Sequence, residues 1–120
     1  MKRITLSCAA NGTYYVPAPS IGVVTGVKAV WQSTVTTSNL VTVSRSSTTV
    51  NLVTAVTTAG MVVETGVRDT TNKDLVFDPA STTTTSQVIK VVLSGGNAVA
   101  AVVVIEFDEY ATVAQAALEA

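Results

Sequence analysis

From Gln87 to Phe107 the chain reads QVIKVVLSGGNAVAAVVVIEF, and its hydrophobic positions do not keep to one side of a strand. Val99, Ala101, Val103, Ile105 and Phe107 form one stripe, and Ala98, Ala100, Val102 and Val104 form a second. Successive side chains of a strand point to opposite faces, so a sheet with one solvated face needs only one such stripe. The pattern predicts a β-hairpin closed by Ser94-Gly95-Gly96-Asn97, a run rich in residues that tolerate positive φ. One face of it should pack on a second sheet and the other on a subunit or larger assembly.

Upstream, shorter alternating runs predict further strands. Arg3 to Cys8 leads through Asn11-Gly12 into Thr13 to Val16, and Pro17 and Pro19 then mark an edge crossing or a bend between sheets, since proline cannot donate to a ladder. Gly22 to Gln32 reads as a longer strand with Val23, Val27, Ala29 and Trp31 on one face and Val24, Lys28 and Gln32 on the other. Asn39 to Arg45 and Thr48 to Thr54 form a predicted hairpin turning near Ser46-Ser47, with Val41 and Val43 on one arm and Val50 and Leu52 on the other. Met61 to Gly66 and the short Asp74 to Phe77 follow, with Arg68 to Lys73 as a polar loop between them. Ser33 to Ser38 and Ser81 to Ser86 read as polar surface connections.

From Ala111 the pattern changes to ATVAQAALEA, with Val113, Ala117 and Leu118 approximating one helical face. A helix this short is marginal in water and gains order only by docking. The expected organisation is a β-sandwich domain over 1–110 and an alanine-rich tail over 111–120. The residues expected at an interface are Ala100, Val102 and Val104 of the second stripe and Val113 and Leu118 of the tail.

Composition fixes the class. The 120 residues suit one domain, and Val and Thr together make up about a third of them, β-branched types that fit a pleated, half-buried surface. The expectation is an all-β, two-sheet antiparallel sandwich. A jelly-roll-like topology is preferred, with immunoglobulin-like connectivity as the competitor. Charged residues are 12% and the net charge is -1, without the basic stripe of a nucleic-acid binder. The longest apolar runs fall well short of the ~20 residues of a spanning helix, so no membrane partner is expected. The lone Cys8, in phase with Ile4 and Leu6, reads as a small core residue. Thr5, Ser7 and Asn11 interrupt the apolar stretch behind Lys2-Arg3 before a signal peptide could form, and Asn11-Gly12-Thr13 reads as a turn rather than a glycosylation site.

Candidate chemistry is sparse. The chain has no histidine, which removes the serine-histidine and cysteine-histidine constellations. Glu106 and Asp108 share a strand face with Glu109 nearby, but acids at a strand end are ordinarily solubilising groups or edge guards, and no enzyme is expected. Asp69, Asn72, Asp74 and Asp78 gather oxygen ligands without the spacing or the central glycine of an EF-hand, so they read as turn formers. No cofactor or metal is implied. Trp31, Tyr14, Tyr15 and Tyr110 could offer flat faces to a sugar ring, although Trp31 shares a stripe with Val27 and Ala29 that points to the core.

The ordering of these features resembles a known group. The N-terminal strand, the Tyr15-Val16-Pro17-Ala18-Pro19 edge, the segment GVVTGVKAV from Gly22 to Val30 and the closing VIKVVLSGGNAVAAVVVIEF together look like the small β-sandwich decoration, or cement, proteins of tailed bacteriophages. The resemblance covers roughly residues 3 to 107. It implies a non-enzymatic virion protein on the outer capsid surface, made in the host cytoplasm and often trimeric, whose partners are the major capsid protein and itself. The alternative expectation is a carbohydrate-binding or host-attachment module, such as a tail or fibre component.

Overall fold

Sheet A holds, in spatial order, β1 (Lys2–Cys8), β9 (Ala101–Glu109), β3 (Gly22–Trp31) and β6 (Val63–Val67), with β7 (Val76–Phe77) also pairing with β3. Sheet B holds β2 (Gly12–Pro17), β8 (Val88–Gly95), β4 (Asn39–Arg45) and β5 (Asn51–Ala55). Two short helices, α1 (Thr84–Gln87) and α2 (Val113–Glu119), complete the elements. The structure is a computed structural model describing residues 2–33, 39–45, 51–55, 63–67, 76–82, 84–95 and 99–119.

The pairing has a simple physical description. Four antiparallel ribbons, β4 with β5, β3 with β6, β2 with β8 and β1 with β9, nest inside one another along the chain. Winding that doubled chain brings β3 beside β9 and β4 beside β8, which closes the two sheets. The resulting orders, β1-β9-β3-β6 and β2-β8-β4-β5, are those of a jelly roll, the preferred expectation, and they exclude the immunoglobulin-like alternative.

The expected hairpin over 87–107 is corrected by this topology. Strands β8 and β9 both form, but β8 lies in sheet B and β9 in sheet A, and they do not pair with each other. Gly95, at φ 133°, ends β8 in a conformation that side chains with a Cβ rarely adopt, while Gly96, Asn97 and Ala98 lie outside the described residues. The physical reason is that both strands are central. Each is flanked on both sides, so the outward side chains of each are partly shielded by lateral neighbours as well as the inward ones being buried.

Alternation places the core. Ala101, Val103, Ile105 and Phe107 of β9 are buried, as are Ile89, Val91 and Leu93 of β8 and Val41 and Val43 of β4. Across the β3–β9 pair, large residues meet small ones: Trp31 lies opposite Ala101, Ala29 opposite Val103 and Val24 opposite Phe107. Cys8 flanks Ala101 from the other side and is buried, as the spacing predicted, and burial pushes its thiol pKa up.

Strand β3 carries a second correction. Its register to β9 shifts between Val24 and Gly26, leaving Thr25 as the extra residue of a bulge. Residues before the bulge therefore change face. Val24 turns inward with Phe107, and Val23, paired with Asp108, turns outward instead of continuing the stripe of Val27, Ala29 and Trp31. Val23 nevertheless stays buried, because α2 packs against β3 and β7 at this end of the sheet.

The remaining expectations divide by location. The Pro17 to Pro19 segment carries the chain from sheet B to sheet A, pinned by the Ala18 N–H donating to the Gln87 carbonyl at 2.9 Å. The hairpin of β4 and β5 forms as predicted, with a bulge between Val41 and Thr42, while its turn at Ser46-Ser47 lies outside the described residues. The Ser81 to Ser86 segment, expected to be a polar surface connection, runs into the single turn α1. The Gln87 side chain there donates to the Ser81 carbonyl, and the Asp78 N–H donates to the Ser86 carbonyl at 2.8 Å.

Gly22 sits where the chain backbone passes closely over the Phe107 ring. A Cβ there would press into the Asp108 carbonyl oxygen and the Phe107 ring, a mixture of backbone and packed aromatic that cannot yield cheaply. Gly22→Ala should lower stability by about 1–3 kcal/mol, the usual range for overpacking. Urea denaturation of the two proteins checks this, and equal midpoints would show that the β3 entry can shift without cost.

Candidate interaction face

The outer face of sheet A is built by the alternation that sends the odd residues of β9 inward. Register places three cross-strand rows on it: Ser7, Val102, Val30 and Val63; Thr5, Val104, Lys28 and Thr65; and Arg3, Glu106 and Gly26. Val30, Val102 and Val104 are half-buried, and Val63, at the β6 edge, is 56% exposed. The first row thus presents three adjacent β-branched side chains, short and stiff, which make a flat apolar strip.

Charge lies beyond the strip. Lys28 and Glu106 approach to 3.9 Å between the second and third rows, and Glu106 is the more enclosed of the two. Lys2 pairs with Glu109 at 3.3 Å at the far end of β1. The Ser20 side chain, with Lys2 adding to it, holds the Glu109 carboxyl below the ordinary carboxylate range against an opposing effect of desolvation.

Of the residues expected at an interface, the structure places two on the outer face of sheet A and a third just before the same strand. Val102 and Val104 share the outer face of sheet A, and Ala100 precedes the strand, its carbonyl accepting the Gln32 N–H at 2.9 Å. Val113 and Leu118 lie on α2, which packs near β7 and the start of β3. Val102 and Asp108 are six positions apart along β9, roughly 20 Å of strand, and α2 contacts β3 and β7, whose Val23 and Val76 pair beside Asp108. Ala100, Val102, Val104, Val113 and Leu118 therefore do not make one continuous patch.

The helix itself departs from its predicted face. Thr112 caps it, its hydroxyl oxygen accepting the Gln115 N–H at 3.2 Å, and Ala116 is the residue that docks, fully buried. Val113 is 42% exposed and Leu118 85% exposed. The reason is steric. Val23 and Val76, a cross-strand pair of sheet A, are both buried at the end where α2 packs, and the small side chain of Ala116 lets the helix approach closely.

Valine 30 and Val63 escaped the sequence reading. Val30 lies beyond the bulge and in phase with Lys28 and Gln32, polar neighbours that make this face of β3 read as solvated, and Val63 sits in a short run with no long alternation to mark its face. Val63 ends the apolar run Met61-Val62-Val63, so only its parity with Thr65 distinguishes the face it occupies.

The other candidates disperse. Trp31 is buried at 1% exposure, Tyr14 is half-buried with its hydroxyl donating to the Ala10 carbonyl at 2.6 Å, and Tyr110 is half-buried with its N–H donating to the Ile21 carbonyl. Tyr15 alone among them is well exposed, on the outer face of sheet B opposite Lys90. Asp78 accepts the Ala80 N–H at 3.0 Å, a turn-forming role, while Asp69, Asn72 and Asp74 lie outside the described residues. Among the described residues, no cluster of three His, Cys, Asp or Glu side chains could hold a metal, and no helix is long and apolar enough to cross a membrane.

In comparison with known proteins, no family model matches the chain, and no curated protein and no solved structure is significantly similar to it. The class defined by the fold is an all-β jelly-roll sandwich.

Because the folded pKa of Glu109 is depressed, its stabilising contribution is present above the unfolded pKa and is lost as pH falls through the folded one. Glu109→Gln should lower the Tm slightly near neutral pH, and the difference should close as the solution is acidified below the ordinary carboxylate range. Paired melting curves over an acid pH series check this; a gap that persists in strong acid would assign the effect to packing.

Proposed function

We propose that this chain is a non-enzymatic virion structural protein, a capsid decoration or cement protein that binds the outer surface of the shell and ties neighbouring capsid subunits together. Its partners in this reading are the major capsid protein and further copies of itself, arranged as a homotrimer. The reading places it on the capsid surface of the virion after synthesis in the host cytoplasm. The observation that carries it is the flat strip of Val30, Val63 and Val102 on the outside of a jelly-roll sheet, with Val104 beside it.

A fold alone does not assign a function, and jelly rolls serve both viral shells and lectins. The surface chemistry favours the former. Short β-branched side chains lose little rotamer freedom when covered, so a strip of them suits a flat protein contact. Stable interfaces bury roughly 800 Å² per partner, more than one strip provides. On a symmetric shell, repeated modest contacts add through avidity, which lowers what each must supply. The glycan reading loses its best residue, since Trp31 lies in the core and cannot stack on a sugar.

The test is the mass in solution by light scattering over a concentration series, together with co-sedimentation on shells assembled from the major capsid protein. The wild-type chain should form a trimer and sediment with shells. Val63→Asp and Val102→Asp should each weaken both by at least tenfold while keeping the wild-type circular dichroism. Association that survives both substitutions would remove this face from the proposal, and failure to bind shells would remove the capsid role.

A further inference from the structure

Strand β1 pairs with β9 along one side, and its other side has no strand beside it among the described residues. We infer that this free edge is a docking site for an extended segment of another protein, one with β-branched apolar residues at successive positions and an acidic residue opposite Arg3. The inference concerns a different surface from the valine strip and does not rest on the capsid reading.

Two observations meet at this edge. The first is that it is long and regular. All seven residues of β1 pair in unbroken register with β9, from Lys2 opposite Phe107 to Cys8 opposite Ala101. Edge strands are ordinarily blunted by proline, bulges or charged side chains. Strand β2, the corresponding edge of sheet B, ends in Pro17 with Pro19 just beyond, but β1 has neither proline nor bulge. Its two charged residues, Lys2 and Arg3, stand at its first two positions, and Lys2 is engaged with Glu109, which leaves Ile4 to Cys8 without a guard.

The second is that the sandwich is incompletely closed on this side. Ile4 and Leu6 point inward from β1, as Tyr14 and Val16 do from β2, and all four are only half-buried although they pack against the core. Their partners one strand further in, Ile105, Val103, Val91 and Ile89, are fully buried. A strand added to β1 would satisfy its unpaired backbone groups and lay alternate side chains over Ile4 and Leu6, the arrangement known as β-strand addition.

Charge specifies the occupant. Arg3 is exposed and has no ion pair among the described residues. The strand that β1 already accepts, β9, presents an acid, Glu106, opposite Arg3 and apolar residues opposite Ile4, Thr5 and Leu6. The free side of β1 carries the same side chains and therefore calls for a partner of the same pattern. A second copy fits less well: pairing β1 with itself about Thr5 sets Arg3 against Ser7 and leaves its charge unanswered.

The probe is a fluorescent peptide with the sequence of residues 101–109, AVVVIEFDE, carrying a solubilising tag, and a second peptide in which the residue matching Glu106 is lysine. Fluorescence anisotropy should show saturable binding of the acidic peptide to the full chain. Arg3→Glu should weaken that binding by at least tenfold and bind the lysine peptide better than the acidic one, with unchanged circular dichroism. Absence of saturable binding at millimolar peptide would overturn the proposal, as would equal affinity of both peptides for wild type and variant. Light scattering on the peptide-free chain completes the test: dimers abolished by Arg3→Glu would assign the edge to a second copy and overturn the choice of partner.

Discussion

The inward stripe of β9 is the constraint on which the rest of the molecule depends. Ala101, Val103, Ile105 and Phe107 are each buried, and β9 is bonded on both sides, to β1 and to β3. Removing a large buried side chain from such a position costs about 3–5 kcal/mol for an aromatic, a large part of the total stability of a domain this size. The stripe also sets sizes around it. Ala101 stays small because Trp31 and Cys8 lie on either side, and Phe107 fills the space left where Gly22 has no side chain, with the Phe77 ring centroid 6.4 Å away.

From that stripe the outer surface follows. Once the odd residues of β9 face inward, Val102 and Val104 must face outward, and register carries the same parity to Val30 on β3 and Val63 on β6. The outer face is therefore apolar at one end, ion-paired through Lys28 and Glu106 further along, and capped by α2 at the other. Arg45 links the two sheets, its side-chain Nε donating to the Val76 carbonyl at 3.0 Å, so β7 is held from sheet B as well as from β3. The winding that joins these parts pairs residues far apart in sequence, a topology whose loop-closure entropy makes folding slow relative to helical domains of similar size.

The surplus of apolar residues in the last third of the chain has two sources. Part of it belongs to the internal architecture, since β8 and β9 are both flanked strands and their outward valines are shielded sideways by Thr5, Ser7, Lys28, Thr13 and Thr42. The remainder is the strip that ends at Val63. It is smaller than the two full stripes suggested, and it lies apart from the exposed Leu118 of α2. Two separate apolar features, Val63 with its row and Leu118, are thus exposed on different parts of the surface.

The amino-acid sequence by itself determined the class and most of the strands. Period-two alternation and the abundance of valine and threonine place β1, β2, β3, β4 and β9 within a few residues of where they lie, because strand formation there is driven by local pattern. The same pattern put Cys8 and Trp31 in the core. It could not say which strands pair, because alternation encodes a face and not a neighbour. Asn97 and the glycines before it looked like a hairpin turn, yet β8, which ends at Gly95, lies in sheet B and β9, which begins at Ala101, lies in sheet A, since β2 and β4, and β1 and β3, compete successfully for the two strands. A single extra residue at Thr25 reversed the face of Val23, and docking chose Ala116 over Val113 and Leu118. Faces and segments are local properties of the chain; partners, bulges and the exposed strip were decided by the tertiary structure, where non-local packing selects among alternatives of equal local merit.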